Sequence, residues 1–146
     1  MRLTDLEPRL IRYDAVEEMA DMVPVEYRGL DNYDAWVAAG RPFVKELTTR
    51  IYHVDASDLD TAQGVIFLCP LCFQKNGGAE GTHSVMVPFD GRGVPAGAGS
   101  MGTNGPSRWT ASGRSLETLS TVPSILLLPP GCGWHGYITD GDVTFV

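Results

Sequence analysis

Basic residues are few in this chain, cysteines and histidines fewer, and long apolar runs are missing. Lys and Arg number 11 against 18 Asp and Glu, a net charge of −7. A protein that coats nucleic acid needs a basic face to meet the phosphates, so nucleic acid is not the expected partner. No stretch approaches the ~20 apolar residues of a transmembrane helix, and no membrane association is expected. The opening MRLTDLEPRLIRYD carries Asp5 and Glu7, unlike a secretory signal, which makes the cytoplasm the expected compartment. Three cysteines, an odd number in a reducing compartment, do not make a disulfide framework. No internal repeat of useful length occurs.

What is present suits one folded domain: 146 residues, 43% of them hydrophobic, are enough for a core. The 17 glycines and 10 prolines favour short strands and turns over a helical bundle. Acid is concentrated early. Residues 1–60 hold 13 Asp and Glu against 7 Lys and Arg, and residues 61–146 hold 5 against 4. The first part is a solvated acidic surface or a contact for a basic partner.

The expected fold class is α+β and β-rich: a region 1–47 with one or two short helices, then a small antiparallel β domain, 48–146, built around a metal site. Leu6, Leu10, Val16 and Met19 can share a helical face interrupted at Pro8, and EMADMVP reads as a short helical turn ending before Pro24. The strongest helix pattern is LDNYDAWVAAG, capped by Asp31 or Asn32, with Tyr33, Trp36 and Val37 on one face. Gly40 and Pro42 break it, and PFVKEL forms a further turn. From Thr48 the pattern turns to strands: TTRIYHVDA, GVIFLC and THSVMVPF, later SRWTAS and PSILLLP. Asp140-Gly141 is the strongest hairpin signal and pairs Tyr137–Thr139 with Val143–Val146. The glycine-rich stretch 90–107 reads as a long exposed loop.

The chemistry lies in two short motifs. Cys69 and Cys72 form a C-x-x-C, and Cys132 with His135 forms a C-x-x-H, each at the end of an apolar strand. Two such turns can point four N/S ligands at one ion, the tetrahedral set that Zn²⁺ prefers. The predicted site is therefore zinc on Cys69, Cys72, Cys132 and His135. A thioredoxin-like redox pair belongs at the start of a helix, whereas FQKNGGAEG after Cys72 reads as a loop; burial of three plain thiols is the remaining alternative. His83 starts the strand that leaves this loop and is a candidate alternate ligand, an orienting group or a base. His53 lacks such neighbours and reads as structural, and Trp109 reads as a core residue.

CPLC, His83, Arg108-Trp109, SLETLSTVPSI and CGWHGYITDGDV follow one another in an order that resembles a family of small, mostly uncharacterised bacterial and bacteriophage zinc-binding proteins. The resemblance covers residues 48–146. It implies a bacterial or phage-infected cell and, through members in ubiquitination-like operons, a peptidase acting on ubiquitin-like proteins. On that implication Ser124 is the nucleophile and His83 or His135 its base, since a serine hydroxyl needs a base within hydrogen-bond reach. Read from the residues alone, Ser124 ends or caps a strand before the buried ILLL. Two functions stand: a zinc-stabilised binding or assembly module with a protein partner, or a small peptidase using Ser124 and a histidine.

Overall fold

The computed structural model describes residues 1–24, 34–35, 37–38, 40, 43–99, 107–129 and 131–146, with the backbone alone at 19–24 and 43–46. Leu3–Leu6 is a 3-10 turn whose Leu3 and Leu6, eclipsed at a spacing of three, are both fully buried. After Glu7, at φ 49°, the chain runs into a long strand, β1 (Arg9–Pro24). At its start Ile11 and Tyr13 are buried while Arg12 and Asp14 are exposed, a period of two rather than 3.6.

This overturns the expected α+β class with short N-terminal helices. The face drawn through Leu6, Leu10, Val16 and Met19 does not form: Leu6 belongs to the 3-10 turn, and the rest lie in β1. The described FVKEL of PFVKEL is also extended, being the start of β2 (Phe43–Asp55). The β-branched and aromatic residues of TTRIYHVD carry strand propensity, and the strand continues back through them to Phe43. Within the strongest helix pattern, LDNYDAWVAAG, the described residues Asp34, Ala35, Val37 and Ala38 are helical, while Tyr33 and Trp36 lie outside the described residues.

The remaining strands are β3 (Gly64–Leu68), β4 (Ser84–Pro88), β5 (Thr110–Ser112), β6 (Ser120–Leu126), β7 (His135–Thr139) and β8 (Asp142–Val143). They form two antiparallel four-stranded sheets, ordered β2-β1-β3-β4 and β5-β6-β7-β8. The α-helix whose full extent is described, α1 (Pro70–Asn76), joins β3 to β4. Among the described residues no helix is long and apolar enough to cross a membrane.

The chain divides into two compact units, one of Met1–Asp14 with His53–Val146 and one of Ala15–Tyr52. In the smaller, Glu18 is the node: its carboxylate accepts from Tyr52 Oη at 2.7 Å and pairs with Arg50 at 3.1 Å. In the larger, the inner faces of the two sheets share one core. Val65, Phe67, Val85 and Val87 come from β3 and β4, and Ile125 and Ile138 from β6 and β7, all at 0–1% exposure. Trp109 is in this core too, as expected. The Asp140-Gly141 hairpin forms, with φ of 49° and 75°, and backbone bonds from Thr144 to Tyr137 and from Val146 to His135 carry its pairing to the end of the chain.

The described part of the glycine-rich stretch has no regular structure, yet it is pinned. Arg92 donates to the carbonyls of Leu59 (2.7 Å) and Ala62 (2.9 Å), and Arg108 to those of Pro95 (3.1 Å) and Ala98 (2.6 Å).

Candidate metal centre

Strand register builds the first half of the centre. The β3–β4 ladder ends with Leu68 opposite Ser84, and the next backbone bond runs from Cys69 N to His83 O at 2.8 Å. Antiparallel pairing thus sets Cys69 and His83 side by side. Cys69 is also the N-cap of α1, with Pro70 at the first helical position, where its fixed φ and missing N–H cost nothing. Cys72, three residues on, lies on the same face of the helix one turn later.

The second half comes from the turn between β6 and β7. Gly131 N donates to Leu128 O and Gly133 N to Leu127 O, folding the chain tightly around Cys132. Gly133 sits at φ 82°, and a Cβ on Gly131 would come 2.7 Å from Leu128 O. Trp134 then anchors the turn in the core. It is 1% exposed and meets Phe67 edge-on, with ring centroids 6.0 Å apart.

These pieces bring one ligand atom each of Cys69, Cys72, His83 and Cys132 within 4.8 Å of one another. Cys69 Sγ and Cys132 Sγ are 3.3 Å apart. Tetrahedral thiolates at about 2.3 Å from zinc lie about 3.8 Å from each other, so the cluster has the size of a metal site. His83 Nδ1 is 3.2 Å from the carbonyl of Ser84. A proton on Nδ1 makes that contact a hydrogen bond and leaves Nε2 for a ligand, the usual support of a ligating histidine. A Cys₃His cluster of this kind can bind a metal ion, and the soft thiols fit zinc.

The electrostatics of the free thiols are uneven. Burial pushes Cys69 up to about 12 and also raises Cys72. At Cys132 burial pushes the same way but is outweighed by hydrogen bonds from His83, the Trp134 backbone and the two neighbouring thiols, which bring it down to about 7. A cation is the natural remedy for three thiols gathered in one partly buried corner, because it makes every thiolate favourable at once.

Of the four residues predicted to bind zinc, the structure gathers Cys69, Cys72 and Cys132. His135, the predicted fourth, is directed elsewhere: its Nε2 lies 3.0 Å from Ser124 Oγ. The place beside the thiols is taken by His83. The C-x-x-H spacing made His135 the obvious choice, but His135 opens β7 opposite Leu126, and its side chain lies over the strand that carries Ser124. The signal for His83 is the pairing of GVIFLC with THSVMV, which a linear motif does not contain.

The helix at Pro70–Asn76 corrects a further expectation, for the residues after Cys72 were read as a loop. Gly77, at φ 69°, ends α1, so the glycines cap a helix here. A C-x-x-C at a helix start does match the setting of a redox pair, and it is the convergence of Cys132 and His83 that marks the corner as a metal-type cluster. His53 is exposed and lines a separate cleft of about 440 Å³ with Glu7, Arg9, Ser84 and Met86.

Comparison with protein-family profiles, with curated proteins and with solved structures finds no match for this chain.

Proposed function

We propose that the chain is a zinc-stabilised binding or assembly module of bacterial or phage origin, its zinc held by Cys69, Cys72, His83 and Cys132. The observation that carries this is the meeting of four N/S ligand atoms within 4.8 Å, from the β3–α1–β4 segment of one sheet and the β6–β7 turn of the other. Four protein ligands close a tetrahedral site, leaving no position for water, and three thiolates make a bound water a weak acid. The ion is structural on this reading. It links segments 63 residues apart in sequence, and the acidic first part of the chain offers a contact to a basic partner protein.

Metal analysis of the purified full chain tests this. One zinc per chain is expected in the parent and in His135→Gln, while His83→Ala binds zinc at least ~100-fold more weakly, on the scale of other losses around a metal site. Full zinc affinity in His83→Ala together with loss in His135→Gln would overturn the ligand set; a chain that takes up no zinc would overturn the module.

A second reading is favoured by one contact, the Ser124–His135 pair at 3.0 Å. We propose on that ground, and on the resemblance of residues 48–146 to proteins found beside ubiquitin-like systems, a hydrolase in which Ser124 attacks and His135 takes its proton. A protein tail is the substrate this resemblance suggests. Of the two candidate bases, His135 lies outside the metal cluster and is therefore free to act on Ser124.

A further inference from the structure

Ser124 and His135 belong to β6 and β7, and the surroundings of the pair separate them from the rest of this acidic protein. Not one residue of β5, β6 or β7 is Asp, Glu, Lys or Arg. The side chains these strands expose are Thr110, Ser112, Val122, Pro123, Leu126, Tyr137 and Thr139. Val122 is 54% exposed, Leu126 40% and Tyr137 39%, an apolar surface with nothing from this chain over it among the described residues.

Beside Ser124 this surface dips into a cleft of about 360 Å³ lined on its apolar side by Trp109, Pro123, Leu126 and Leu128. Among the described residues of the lining, Arg108 is the only charged one. Both terminal nitrogens of its guanidinium are engaged, Nη1 donating to Ser107 O at 2.9 Å and Nη2 to Pro95 O and Ala98 O. Among the described lining residues a group entering the cleft meets no carboxylate or lysine. With the Arg108 terminal nitrogens taken up by carbonyls, a charged group would lose hydration there without a hydrogen-bonding partner of its own.

We infer that Ser124 and His135 form a nucleophile–base pair whose cleft takes neutral, apolar acyl groups, on esters or activated amides, in preference to anionic ones. This rests on the second reading above and names its substrate class. With the ring proton on Nδ1, His135 Nε2 accepts from the Ser124 hydroxyl. Ser124 Oγ adds to the acyl carbonyl carbon as its proton passes to Nε2. The tetrahedral adduct then collapses, its bond to the leaving oxygen or nitrogen breaks, and the leaving group departs with the proton from His135. Water, deprotonated by His135, adds to the acyl-Ser124 carbonyl; the Oγ–acyl bond breaks, Ser124 regains its proton and the carboxylic acid is released. No outside oxidant or reductant enters.

Two measurements on the zinc-loaded full chain test the two levels separately. Treatment with an alkyl fluorophosphonate, followed by intact-mass and peptide mapping, reports whether Ser124 is nucleophilic. One adduct at Ser124 is expected, absent in Ser124→Ala and formed at least ~100-fold more slowly in His135→Gln, in line with loss of a general base. Turnover of p-nitrophenyl butyrate and p-nitrophenyl hemisuccinate, whose acyl chains have equal length and differ by one carboxylate, reports the class. The butyrate is expected to be favoured by more than ~tenfold in kcat/KM, the desolvation cost of one unpaired charge. If Ser124 is labelled but both esters react alike, or the succinate faster, the neutral-acyl preference is overturned and the serine nucleophile stands. If Ser124 takes no label and ester turnover is the same in Ser124→Ala, the hydrolase reading itself falls, and the inference with it.

Discussion

Two places in the larger unit tie together segments far apart in sequence, and they do so by opposite means. At one, Arg2 spans to the C-terminal hairpin. Its guanidinium donates to Glu117 O at 2.7 Å and Asp140 O at 3.0 Å and pairs with Asp142 at 2.8 Å, while Leu3 N donates to Gly141 O. Every group there has a partner within the chain. At the other, Cys69, Cys72, His83 and Cys132 crowd together with little to offer each other beyond weak thiol contacts. The first tie is made of polypeptide groups alone; the second gathers ligand atoms that could hold a metal ion. Stability at the two places should therefore respond to different insults.

Metal removal is the sharpest way to separate them. Structural zinc is worth on the order of 10 kcal/mol in small domains, so exhaustive chelation, or Cys69→Ser, should unfold the unit of Met1–Asp14 and His53–Val146. Near-UV circular dichroism and the melting temperature read this. A melt unchanged after complete metal removal would erase the difference between the ties.

The pH dependence of zinc binding comes next in size. Cys69 and Cys72, both raised, are thiols across the neutral range, and Cys132 is half ionised at about 7. Binding as thiolates then releases about three protons per zinc below pH 7 and about two above it, with affinity rising in the same sense as pH. Calorimetry in buffers of different ionisation enthalpy counts those protons. A count that does not fall across pH 7 would contradict the distinct environment of Cys132.

At the polypeptide tie the effects are smaller and independent of metal. Gly141→Ala puts a Cβ onto Glu117 O at a residue with φ 75°; a cost of about 2–3 kcal/mol is expected from backbone strain and displacement. Arg2→Ala, at an exposed ion pair with two carbonyl contacts, should cost only about 1 kcal/mol. Both are read from denaturant melts of the zinc-loaded protein. An Arg2→Ala loss as large as that of chelation would show that the tie through Arg2 matters as much as the metal corner.

Strands were largely legible in the sequence. Alternation and β-branched content located β3, β4 and the C-terminal hairpin, because burial of one face writes a period of two directly into the residues. The N-terminal segment misled for a related reason. In RLIRYDAVEEM apolar residues are frequent enough to fit a helical face and an alternating one, and what selects between them is the pairing of Arg9, Leu10 and Ile11 with β3, which is non-local. The helix after Cys69 was hidden by the glycines that follow it, since a short helix ended by Gly77-Gly78 has the composition of a loop.

By itself the sequence supplied the residue types: three thiols and histidines, ligands that can bind a metal ion, and apart from them a serine at position 124. Their grouping was a tertiary decision. Ligand spacing along a chain favours partners three apart, and so paired Cys132 with His135. In the fold, the β3–β4 register carries His83 to Cys69, and β7 carries His135 to within 3.0 Å of Ser124. Hydrogen bonds between strands set which side chains meet, and that register is specified by burial on both faces of the core rather than by any local motif.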